Sequence, residues 1–118
     1  MVFLVIFFSC ASGPVNAPPE TPPAKIIQRA QEAADVNKYR IALQYYEILL
    51  ERYGNFGEYL AVGEYEIAFI HYKQKRYLRA RLGFETLLDR YAEAGNGLPP
   101  QFKVLSEKML NRLTELGF

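Results

Sequence analysis

From Lys25 onward the sequence predicts an all-α fold of about two and a half helix-hairpin repeats, five helices in all. Three observations carry that prediction. No proline interrupts the chain between Lys25 and Pro99. Apolar residues recur at spacings of three and four, which places them on one helix face. One helix is also written twice: residues 39–53, YRIALQYYEILLERY, and 77–91, YLRARLGFETLLDRY, agree at seven of fifteen positions.

The elements follow in order. The first helix lies in AKIIQRAQEAADVNK and turns near Val36–Lys38 into the first repeated helix, whose apolar face is Tyr39, Ala42, Tyr46, Leu49, Leu50 and Tyr53. A break is expected at GNFG (54–57), where glycine readily takes the left-handed cap conformation. The third helix, in YLAVGEYEIAFIHYKQK, turns near Gln74–Arg76 into the second repeated helix, with Tyr77, Ala80, Phe84, Leu87, Leu88 and Tyr91 on its face. A second break falls at GNGLPP (95–100). Ala30 precedes Ala42 by twelve residues, as Ala68 precedes Ala80. Two small residues at that separation let antiparallel helices approach closely. The tail PPQFKVLSEKMLNRLTELGF places Phe102, Leu105, Met109, Leu113 and Leu116 on one stripe, and a proline suits its first turn. Ser106 falls 38 positions after Ala68, so this fifth helix reads as the first half of a third repeat that covers an otherwise exposed apolar face.

The N-terminus reads differently. Residues 2–8 are an unbroken apolar run, well short of the roughly 20 residues that span a bilayer. It ends at Ser9-Cys10, and Cys10 is the one cysteine in the chain. This arrangement resembles a bacterial lipoprotein signal, which predicts cleavage after residue 9 and lipidation of Cys10. An uncleaved apolar tail and a buried structural thiol are the alternatives. Residues 10–24 hold five prolines and few large apolar groups, so they are expected to form an extended spacer between the lipid and a helical domain at 25–118.

Composition narrows the function. Fourteen Lys and Arg stand against thirteen Asp and Glu, so bulk charge gives no argument for nucleic-acid binding. No phosphate loop, metal-spaced Cys/His cluster or catalytic triad is present in the sequence pattern. No catalytic residue, cofactor, metal or small-molecule substrate is therefore expected. His71, the one histidine, is expected to pack at a helix seam. Glu64 and Glu66 lie two apart and should point to different sides of their helix. The basic stretch KQKRYLRAR (73–81) has two readings: it meets phosphate head groups or an acidic partner, or it is a solvated turn paired with Glu85 and Asp89.

The Tyr-x-x-Ala-x-x-x-aromatic pattern, with a small residue twelve before the Ala, resembles the tetratricopeptide repeat. Ala30, Tyr39, Ala42 and Tyr46 carry the resemblance in the first copy; Ala68, Tyr77, Ala80 and Phe84 carry it in the second. The repeat is 38 residues here against a usual period of about 34. The resemblance implies a concave groove, lined by the first helix of each pair, that binds segments of partner proteins. Its positions fall at Ile27, Gln31 and Asp35, then at Val62, Tyr65, Phe69, Tyr72 and Lys73. Tyr65, Phe69 and Tyr72 are either an exposed patch of that groove or part of the core.

Residues 54–91 are similar to one family in particular, the outer-membrane assembly lipoproteins of the BamD family. That similarity implies a periplasmic scaffold, lipid-anchored in the outer membrane, which binds the β-barrel insertase and associated lipoproteins. Family members usually carry about five repeats. The alternative is a general periplasmic adaptor that binds a peptide or a component of cell-wall or pilus machinery.

Overall fold

A computed structural model describes residues 15–94 and 97–118. The described residues form five α-helices and no strand: α1 Pro23–Asp35, α2 Tyr39–Tyr53, α3 Gly57–Lys73, α4 Tyr77–Ala94 and α5 Pro100–Glu115. The apolar run 2–8 and Cys10 lie outside the described residues, as do Gly95 and Asn96.

Each helix packs on the next in sequence, and α3 also touches α5. Short turns make successive helices antiparallel, so α1, α3 and α5 run one way while α2 and α4 run the other. Two prolines start helices where their missing N–H costs nothing: Pro23 in α1 and Pro100 in α5.

The three helices of like direction end alike. At the end of α1, Lys38 N–H donates to the Ala33 carbonyl and Asn37 N–H to that of Ala34; Arg76 with His71, and Lys75 with Tyr72, repeat the pattern after α3. Phe118 with Leu113, and Gly117 with Thr114, repeat it after α5. This is the Schellman arrangement, and it requires a left-handed residue just past the helix. Asn37, Lys75 and Gly117 take that role at φ 61°, 62° and 92°.

The expected left-handed glycine cap at residue 54 is not what forms. Gly54 stays right-handed at φ −65°. A side chain there would instead run into the Leu50 carbonyl, so close approach is what demands glycine.

The core divides into two clusters, one per hairpin. Ile26, Ala30 and Ala33 of α1 meet Ala42, Tyr45, Tyr46 and Leu49 of α2, and Ile70 of α3 closes the group. Ala61, Tyr65 and Ala68 of α3 meet Ala80, Phe84, Leu87 and Tyr91 of α4, and Leu113 of α5 closes that one. Neither hairpin covers its own apolar face; a third helix does. Full burial of a side chain the size of Leu or Phe contributes about 1.5–3 kcal/mol, so the closing helices matter energetically. The small residues do what their spacing implied. Ala30, Ala42, Ala68 and Ala80 are at most 1% exposed, and a Cβ on Gly83 would sit 2.8 Å from that of Ala68.

Two expectations need correction. Ser106 does not occupy the position of Ala68. α5 starts at Pro100, 43 positions after Gly57 starts α3. Its inward residues Phe102, Ser106, Leu110 and Leu113 match Tyr59, Gly63, Ile67 and Ile70, with which α3 meets the first hairpin. The stripe therefore includes Ser106 and Leu110, while Leu105 and Leu116 remain exposed. Two length differences cause the slip: α4 runs 18 residues against 15 in α2, and the link from α4 to α5 is longer than the link from α2 to α3.

The expected free spacer is also shorter than residues 10–24. Residues 15–22 lie against the first hairpin. Arg52 donates to the carbonyls of Ala17 (2.6 Å) and Pro18 (2.9 Å), the Tyr53 hydroxyl donates to that of Thr21 (2.8 Å), and Asn16 N–H donates to the Tyr45 hydroxyl (3.2 Å). Val15 and Ala17 add apolar contact. Five prolines gave no sign of this, because the bonds use backbone carbonyls, which every residue has.

Candidate protein-binding groove

α1, α3 and α5 together border a shallow depression of about 180 Å³, lined by Ile27 of α1, Glu58, Tyr59 and Val62 of α3, Pro99 just before α5, and Gln101 and Phe102 of α5. Along α3 the same face continues as Glu66, Phe69 and Lys73, at steps of four, three and four.

The expected groove residues divide by this face. Ile27 and Val62 line the depression, half-buried. Gln31 and Asp35 are exposed on the following turns of α1, and Lys73 is exposed at the end of α3 with its Nζ 5.1 Å from the Phe69 ring centre. Phe69 is half-buried. Tyr65 is different: at 8% exposure it belongs to the core, between Phe84 (5.6 Å) and Phe102 (5.5 Å). Burial pushes its phenol up to about 12. Tyr72 also leans off the groove face, against Tyr77 at 5.7 Å. The three aromatics stack in a row, Tyr65 on Phe69 at 6.0 Å and Phe69 on Tyr72 at 6.1 Å. The core holds one end of this row, and Phe69 offers its remaining surface to the groove.

Three contributors went unnoticed in the sequence. Tyr59 lies three positions before Val62 and was legible by spacing. Phe102 arrives from α5, which no local pattern connects to α1. Glu66 stands between Val62 and Phe69 and forms no ion pair among the described residues. Burial raises its carboxyl above the ordinary range, and Lys73 offsets part of that rise. Glu64 points elsewhere, as its spacing required: it binds Arg90 across the α3–α4 seam, with Nε at 2.6 Å from Oε1 and 2.7 Å from Oε2.

A second cavity of about 320 Å³ opens on the opposite side, between α2, α3 and α4, with Leu50, Ile67, Ala68 and Leu82 among its lining residues. His71 lines it too, half-buried at the seam between helices; burial lowers its imidazole below the ordinary value, and the Gln74 side chain pulls the other way. Among the described residues, no group of three or more His, Cys, Asp or Glu is placed to hold a metal. No helix among them is long and apolar enough to cross a membrane.

Comparison with known proteins gives one relative without an assigned role. A protein of Treponema pallidum (strain Nichols), described as an uncharacterized protein, is 34% identical over 115 residues, covering 93% of this chain and 46% of that protein. The chain thus spans about half the length of the curated relative it matches. No protein-family model matches the chain, and no solved structure does.

Proposed function

We propose that the chain is a non-catalytic, lipid-anchored scaffold of the bacterial cell envelope, a short tetratricopeptide-repeat-like stack that holds a segment of another protein. The reading takes it as a relative of the BamD family, tethered through Cys10 at the periplasmic face of the outer membrane and acting with the β-barrel insertase and its lipoproteins. One observation carries the binding role: helices of like direction border a depression lined by Ile27, Tyr59, Val62 and Phe102, and the half-buried ring of Phe69 follows two turns further along the same face of α3. Aromatic anchors of this kind supply most of the affinity in protein interfaces. Glu66, between Val62 and Phe69 on that face, favours a segment with a Lys or Arg between two apolar residues, because its carboxylate forms no ion pair among the described residues.

The experiment is purification of the tagged chain from detergent-solubilised envelope of its own cells. Recovery of the β-barrel insertase, reduced about tenfold by Phe69→Ala, is the expected result. Incorporation of labelled fatty acid, lost in Cys10→Ser, tests the tether. The small size of the groove favours a second reading, a general adaptor for a short peptide of cell-wall or pilus machinery. In that case a soluble partner is recovered without any barrel protein and is lost on the same substitution. Recovery of neither, with the Phe69→Ala pattern indistinguishable from wild type, removes the groove as a binding site.

A further inference from the structure

The antiparallel order places the α1–α2 turn, the α3–α4 turn and the end of α5 at one end of the helix layer. That end is electropositive. Of the five cations between Lys73 and Arg81, Arg81 is committed to the fold: it pairs with Glu85 at 3.2 Å and donates to the Thr114 hydroxyl at 2.7 Å and the Phe118 carbonyl. Lys75, Arg76 and Arg79 form no ion pair among the described residues. Together with Tyr77, Leu78 and Phe118 they line an open depression of about 850 Å³. Lys38 and Arg40, both exposed, stand at the neighbouring turn. The opposite end is mixed in sign: Glu51, Glu58 and Glu93 are exposed there, and so are Lys25, Arg52 and Lys103.

Each connection at the positive end also exposes a large apolar side chain: Val36 at 63%, Leu78 at 70% and Phe118 at 43%. Leu78 is the telling one. In the repeated helix its position belongs to Arg40, and Leu82 one turn later replaces Gln44. The second copy thus carries two apolar residues on an outer face where the first copy is polar, and neither enters the core.

We propose that this end of the molecule docks on an anionic phospholipid surface. Cations that lie unpaired meet the headgroup charge, at about a fivefold gain in partitioning for each one near the surface. Val36, Leu78 and Phe118 enter the boundary between headgroups and acyl chains, as apolar residues among cations do in peripheral membrane proteins. An acidic protein would match the charge, but it gives no reason for an exposed leucine and phenylalanine beside the arginines. This surface is separate from the groove and does not depend on a lipid at Cys10.

The test is sedimentation of the full, unlipidated chain with vesicles of equal parts phosphatidylglycerol and phosphatidylcholine, against vesicles of phosphatidylcholine alone. Binding to the anionic vesicles, weakened as salt rises above about 0.1 M, is expected. K75E/R76E should lower it at least tenfold while leaving the melting curve intact. K25E/K103E, an equal charge change at the other end, should lower it about twofold or less. Leu78→Ser should lower it severalfold even at high salt. The proposal is overturned if both vesicle types bind equally, because the apolar run 2–8 would then suffice. It is overturned equally if the two double variants lose binding alike, or if soluble poly-glutamate binds the chain while anionic vesicles do not.

Discussion

The end of α2 and the end of α4 carry the same dipeptide, Arg52-Tyr53 and Arg90-Tyr91, and use it differently. In the first hairpin both side chains reach backbone carbonyls of residues 17–21. In the second, Arg90 binds the Glu64 carboxylate and the Tyr91 hydroxyl donates to the Pro99 carbonyl, just before α5. Tyr53 and Tyr91 thus each tie down the chain leading into a helix of the α1, α3, α5 set. The position of Glu64 is filled by Ile26 in α1, fully buried, and Tyr45 in α2 becomes Gly83 in α4. What stays the same lies inside: Ala42 and Ala80, Tyr46 and Phe84, Leu49 and Leu87 are all at most 1% exposed. The interior of a hairpin dictates its residues, while the outer faces change with whatever packs there.

The largest effect should come from that shared interior. Phe84→Ala and Tyr46→Ala each remove a fully buried ring and should cost about 3–5 kcal/mol, read as a lower urea midpoint. A cost for Tyr46→Ala below about 1 kcal/mol beside a full cost at Phe84 would break the equivalence of the hairpins. Gly83→Ala comes next and tests a point where they differ. Its Cβ would press on that of Ala68, a strain of about 1–3 kcal/mol against about 1 kcal/mol of helix propensity gained. Net destabilisation is expected, and Ala68→Gly in the Gly83→Ala background should recover part of it. Purely additive effects would mean that the helices simply move apart.

Such contrasts explain what could be read from the sequence. Five helices, both turns and both breaks were legible because spacing, glycine and proline act locally. The Ala30–Ala42 and Ala68–Ala80 pairs were legible because a repeat shows the same solution twice. Tyr65 was ambiguous, since an aromatic at a groove position reads the same whether or not a neighbour covers it. Phe102 decides the matter, and it lies 37 residues away. The place of α5 was misjudged because counting by 38 assumes equal helices and equal links, and both α4 and the link after it are longer. Within α5, the Ser106 hydroxyl is buried without a hydrogen-bond partner among the described residues. Ser106→Ala should therefore stabilise the fold by about 1 kcal/mol in urea melts. Loss of stability would mean that the hydroxyl does bond within the folded chain.

The smallest effect concerns charge, and it makes α3 resemble α1. Glu66 corresponds to Gln28 and His71 to Ala33, so the first hairpin has no titrating counterpart to either. Burial raises the Glu66 carboxyl above its ordinary 4.5. Between the ordinary and the folded value the folded chain holds the extra proton, so the contribution to stability is full below pH 4.5 and declines as pH rises through the folded value. His71 has the opposite slope. Burial lowers its imidazole below 6.5, so its contribution is full above that pH and is lost as pH falls through the folded value. Glu66→Gln should accordingly be more stable than wild type at pH 7, with the advantage shrinking toward pH 4. His71→Ala should flatten the loss on the acid side, whatever its packing cost at neutral pH. Thermal melts across pH 4–8 separate the two, because one substitution changes the curve mainly above the ordinary carboxyl value and the other mainly below that of imidazole. If Glu66→Gln lowers stability at pH 7, the carboxylate has a partner in the folded chain, and the case for a cationic residue in the bound segment fails with it.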